Sequence, residues 1–188
     1  GSNAVSMQNY NMDKRIRALA EKNRLHDELH RQTAHQIELL NAWLSKLVET
    51  ENVDEKRELL RKIVVVGAYL KRRNNLILVS EQDGTIKEEE LKLSIEEMMK
   101  NLELAGVRCA CSVQFDRNLT PDAAMRLFDF YEYVVENAFD GLTCLLARFF
   151  SRDKSFYCCV DAVCDFDPTV FETADVAVST SDENCYTL

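Results

Sequence analysis

The chain has 188 residues, 46% hydrophobic and 29% charged, which supports one sizeable core or two small ones and excludes a disordered polymer. Its formal charge of −9 argues against nucleic acid as the main partner, because phosphate binding relies on clustered Lys and Arg and the run Lys71-Arg72-Arg73 is short. Seven cysteines in no metal-ligand spacing read as thiols of a reducing cytosol, and no stretch is apolar for the ~18 residues that a membrane span requires, so the expectation is a cytoplasmic chain without a membrane segment of its own.

Gly1-Ser2-Asn3-Ala4 reads as a tag remnant. From residue 5 a helical pattern runs on, and Met12, Ile16, Leu19, Asn23, His26, His30, Thr33, Ile37, Leu40, Leu44 and Leu47 alternate in steps of four and three, the seam of a coiled coil. In its middle the seam turns polar, while Leu25 and Leu29 start a neighbouring apolar stripe continued by Leu39 and Trp43. The buried face is therefore expected to rotate and leave His26 near its edge. The run from Glu49 to Glu55 breaks the rhythm, with Asp54 expected to cap a second helix through about Val79. Residues 5–81 then form a helical hairpin, and two hairpins from two copies would complete a four-helix bundle.

His26 is followed directly by Asp27. A neutral imidazole can attack a phosphoryl group, and an adjacent carboxylate can hold or take the proton on its other nitrogen. His26 is thus a candidate nucleophile and Asp27 its base. The same pair also reads as an ordinary solvated couple, or as a tolerated polar stretch of the seam. His26-Asp27-Glu28-Leu29-His30 also nearly spells the H-E-x-x-H zinc helix. Asp27 stands where that motif needs the longer Glu, and a third ligand would have to come from His35, Glu49 or Glu51.

Gln82-Asp83-Gly84-Thr85 reads as a linker, and residues 86–188 as a second domain of mixed helix and strand. Lys87 to Leu104 is expected to be helical and to stop at Ala105-Gly106. Val107 to Phe115 alternates like a strand. Thr120 and Pro121 open a helix expected to run to about Phe150, followed by strands at Phe156–Cys164, Val176–Ser179 and Cys185–Leu188, with a turn around Ser181-Asp182-Glu183-Asn184.

This order of parts, with Arg24-Leu25-His26-Asp27-Glu28-Leu29 on the first helix and Val135-Glu136-Asn137-Ala138 on a later one, resembles the cytoplasmic core of bacterial two-component sensor histidine kinases from Arg15 to about Phe150. The first segment resembles the phosphoacceptor box and the second the N-box of the ATP-binding domain. The resemblance implies an α+β protein: a dimeric histidine-phosphotransfer bundle followed by a small α/β sandwich. It also implies phosphorylation of His26, activation by Asp27, ATP as phosphodonor and Asn137 as ligand of the nucleotide's magnesium. The implied partners are a second copy, a response regulator receiver domain and an upstream sensor region.

The departures are equally specific. Arg31 stands where the subgroup often carries a glutamine, and Asp140 replaces a basic residue three after Asn137. After Gly141 the remaining 47 residues contain no glycine, although the family's Asp-x-Gly-x-Gly turn and Gly-rich lid need backbone conformations that glycine adopts most cheaply. Asp165 and Asp167 fall near the expected adenine-reading acid, and the lid is cut down to a connector between Cys164 and Val176. The expectation is a kinase-like core with a degenerate ATP site. The alternatives are an ATP-independent histidine phosphotransferase and a non-catalytic dimeric docking module.

Overall fold

The computed structural model describes residues 1–188 except Phe166, Ala174, Glu183, Asn184 and Leu188; at Leu25, Pro168, Val170, 180–182 and 185–187 it describes the backbone alone. The chain is α+β, in the order α1 (Ser2–Glu49), α2 (Val53–Asp83), α3 (Glu88–Leu104), β1 (Arg108–Gln114), α4 (Pro121–Ala138), β2 (Cys144–Arg152), β3 (Ser155–Val163), β4 (Ser179–Asp182) and β5 (Cys185–Thr187). It divides into two compact units, Gly1–Glu38 and Leu39–Leu188. The first is one uninterrupted helical stretch.

In the second unit the strands form one sheet in the order β1-β2-β3-β5-β4, with β1 and β2 parallel and the other pairs antiparallel. Residues alternate across a strand, and Val113, Leu145, Ala147, Phe149, Val160 and Ala162 are buried. Helices α3 and α4 cover that face: the Cys109 thiol lies 3.5 Å from the Met99 carbonyl, and the Tyr131 ring packs edge-on to Phe149 at 5.9 Å. On α4, Ala124, Met125, Phe128, Tyr131, Val134, Val135 and Ala138 are buried at helical spacing.

Helix α2 packs on α3 and α4 through Leu59, Val65, Val66, Tyr69, Leu70, Leu76 and Ile77, with Tyr69 against Phe128 at 5.3 Å. The turn at Gln82–Thr85 ends α2, with Gly84 in the left-handed conformation (φ 71°). Packing continues across that turn. Beyond it Ile86 and Leu119, both fully buried, exchange backbone hydrogen bonds of 2.9 and 2.8 Å.

Three expectations are corrected. The helix opened by Thr120 and Pro121 stops at Ala138, and Cys144–Arg152 is a strand rather than its continuation to Phe150. Leu142, Leu145, Leu146, Phe149 and Phe150 satisfy a helical spacing, while Leu145, Ala147 and Phe149 satisfy a strand's. Gly141, at φ 85°, ends the first pattern and allows the second. The cap of α2 is Asn52, not Asp54: its side-chain oxygen accepts from the Asp54 and Glu55 N–H groups at 2.9 and 3.1 Å. The first strand of the terminal pair is 179–182 rather than 176–179, because Pro168–Phe171 forms a 3₁₀ turn and Thr173 and Val176 bond each other's backbone. Part of the turn expected at 181–184 lies outside the described residues.

Candidate functional site

His26 and Asp27 lie mid-way along α1 within the first unit, both exposed. The helix places Asp27 one position after His26, about 100° around the surface, and three before His30, on the face it shares with that residue. The His26 and His30 rings meet edge-on, centroids 4.2 Å apart. Arg24 bonds Glu21 at 2.6 Å and Glu28 at 3.3 Å, and its hydrogen bond and charge hold the Glu21 carboxyl below its usual range. Glu28 is therefore engaged by a cation, and Asp27 is the carboxylate that directly follows His26 in the chain. His35, five residues after His30, lies about 140° around the helix. The zinc helix does not gain its third ligand from His35.

In the second unit Asn137 is exposed near the end of α4, and its amide donates to the Tyr133 carbonyl at 2.8 Å. Asp140 accepts from Lys62 at 3.3 Å. Asp165 reaches the same end of the helix: a Cβ on Gly141 would lie 2.8 Å from its carboxyl carbon. This set does not fit a nucleotide triphosphate. The C-terminal end of a helix carries partial negative charge, Asp140 and Asp165 add to it, and no glycine strip follows to cradle phosphates. A cleft of about 950 Å³ lies elsewhere, lined by Ala123, Arg126, Leu127, Phe130, Phe150 and Tyr157 among others. Asn137 does not line it.

Sequence reading missed a charged network between α2 and α4. Arg73, 1% exposed, donates to both oxygens of Asp129 at 2.9 and 3.0 Å, and the Tyr69 hydroxyl donates to Asp129 at 2.6 Å. Burial pulls the Arg73 guanidinium down, but its bonds to Asp129 and the charges beside it outweigh that and raise it overall. Glu132, also 1% exposed, is pushed up to about 10 by burial and by its hydrogen bond with Glu136, against the opposing pull of Arg73. It is therefore protonated at neutral pH. A signal was present: Asp129, Glu132 and Glu136 follow three-and-four spacing on a helix whose other residues at that spacing are apolar.

Among the described residues no helix is long and apolar enough to cross a membrane. No protein-family model matches the chain, and neither does any curated protein.

Proposed function

We propose that the chain is a dimeric phosphoryl-transfer module of the two-component type, in which His26 receives and returns a phosphoryl group and ATP is not the donor. The observation that carries this reading is His26 exposed on a continuous helix with Asp27 as its adjacent carboxylate, while Glu28 is held by Arg24. A neutral ring nitrogen attacks the phosphorus of an aspartyl phosphate on a receiver domain. The P–N bond forms as the acyl P–O bond breaks, the receiver's aspartate leaves as carboxylate, and Asp27 as base accepts the proton from the other ring nitrogen. The reverse step discharges His26.

Dimerisation is supported by apolar side chains left exposed in the second unit: Leu44 and Val48 on α1, and Val53, Leu60, Val64 and Leu78 on α2. These last four sit at three-and-four multiples along one stripe, opposite the face that packs on α3 and α4. A second copy with the same stripe would cover it and complete a four-helix bundle.

The misfit of Asn137, Asp140 and Asp165 to a nucleotide favours transfer without ATP over a working kinase. The test is to offer the protein two donors, magnesium with γ-labelled ATP and receiver domains charged with labelled phosphoramidate. Acid-labile label is expected from the receivers alone. Labelling of His26 from ATP, or a rise in melting temperature worth ~2 kcal/mol at millimolar magnesium-ATP, would restore the kinase reading. Label from neither donor would leave a docking module.

A further inference from the structure

We infer that His26 and His30 together form a two-imidazole site for a divalent transition-metal ion of the Zn²⁺, Ni²⁺ or Co²⁺ class, and that an ion there competes with phosphoryl acceptance at His26. The metal site stands on geometry alone, whereas the competition rests on the phosphoacceptor reading above.

Residues four apart on a helix share a face, and here the rings already meet, with centroids 4.2 Å apart and a ring nitrogen of each within 4.8 Å of the other. Metal–imidazole bonds are about 2.0–2.1 Å, so two nitrogens on one ion stand at most about 4 Å apart. A modest rotation of either ring closes that difference without disturbing the backbone, which runs as helix from Ser2 to Glu49. Both histidines are exposed, which lets an ion enter and lets water complete its coordination. Imidazole selects zinc, copper, nickel and cobalt over magnesium and calcium, which prefer oxygen. Asp27, three positions before His30, shares its face of the helix, and a carboxylate there is the kind of group that orients a metal-bound histidine through its outer N–H.

The competition follows from the lone pair. A ring nitrogen that donates to a metal cannot attack phosphorus, and phosphorylation removes the same donor from the ion. Occupancy of one state would exclude the other at that nitrogen. The exchange requires no redox step.

The test uses the full chain and Co²⁺ and Ni²⁺ alone. Calorimetry with Ni²⁺ should show one ion per chain at this site. With Co²⁺, weak visible bands should appear without the intense near-ultraviolet sulfur-to-metal band that the chain's cysteines would give. His30→Ala should weaken binding on the order of 100-fold, because the second ligand is delivered at high effective concentration; His35→Ala should leave it unchanged. Affinity that survives His30→Ala, or sulfur bands alone, would overturn the site. In a second arm, Ni²⁺ should slow labelling of His26 by phosphoramidate in the unmodified protein and leave His30→Ala labelling at its metal-free rate. Equal labelling with and without bound Ni²⁺ would overturn the competition. Absence of labelling in metal-free protein would instead sink the phosphoacceptor reading, and the binding arm would still decide the site.

Discussion

The chain places its two kinds of charged chemistry in opposite environments. On α1, His26, Asp27 and the Arg24 ion pairs are exposed to water on a helix that runs uninterrupted. Between α2 and α4, Arg73 and Glu132 are buried and Asp129 is half-buried, beside Tyr69, Phe128 and Tyr131. Exposed groups can meet a partner and exchange protons, and they contribute little to stability. Buried groups are costly to desolvate, so they persist only when paired or neutral, and removing one partner strands the other. By this physics the first region is suited to transfer and the second to fixing how α2 sits on α4.

The comparison breaks most sharply at Arg73. Arg73→Met leaves the Asp129 carboxylate without its buried cation and should cost about 3–5 kcal/mol in denaturant unfolding, whereas His26→Gln should cost less than about 0.5 kcal/mol, as expected of an exposed surface change. Comparable losses from the two would erase the distinction. Restoring the apolar match with Asp129→Leu should recover much of the Arg73→Met loss.

Glu132 sharpens the comparison with a reversed sign. Its folded carboxyl is raised from 4.5 to about 10, so between those values the folded state holds a proton that the unfolded chain has lost. Stability contributed by that proton is complete below the unfolded value and falls as pH rises through the window. Glu132→Gln keeps a neutral donor at the site, and it should stabilise the protein on the order of 2 kcal/mol at pH 8 while flattening the decline towards pH 10. Unfolding measured from pH 5 to 10 checks this, and an unchanged slope would place the proton elsewhere.

A smaller effect belongs to the cap between the two helices. Asn52→Ala removes the oxygen that accepts from the Asp54 and Glu55 N–H groups and should cost about 1 kcal/mol. The same substitution at Asp54 should cost less, and the reverse order would return the cap to Asp54.

These residues also mark what could be read from the chain. The Thr120-Pro121 start, the stop at Gly106 and the strands β1 and β3 were legible, because each rests on local backbone chemistry, whereas α2 runs on to Asp83, past the expected end at Val79. Strand β2 was not, since its apolar residues fit two periods and its parallel partner β1 lies more than thirty positions away. Asn52 and Asp54 are both good caps, and only the extended backbone at Asn52 separates them. His26 and Asp27 were legible as neighbours because one helix holds both. The Arg73–Asp129 pair joins residues 56 apart in sequence, and no spacing rule announces such a pair.

The central claim is that His26 carries the phosphoryl group, and the most direct measurement is to treat the protein and its His26→Gln variant with phosphoramidate and locate any acid-labile, base-stable phosphate by mass spectrometry. The account predicts phosphate at His26 in the unmodified protein and none in the variant. Phosphate that persists in the variant at His30 or His35, or no phosphohistidine in either protein, would contradict it.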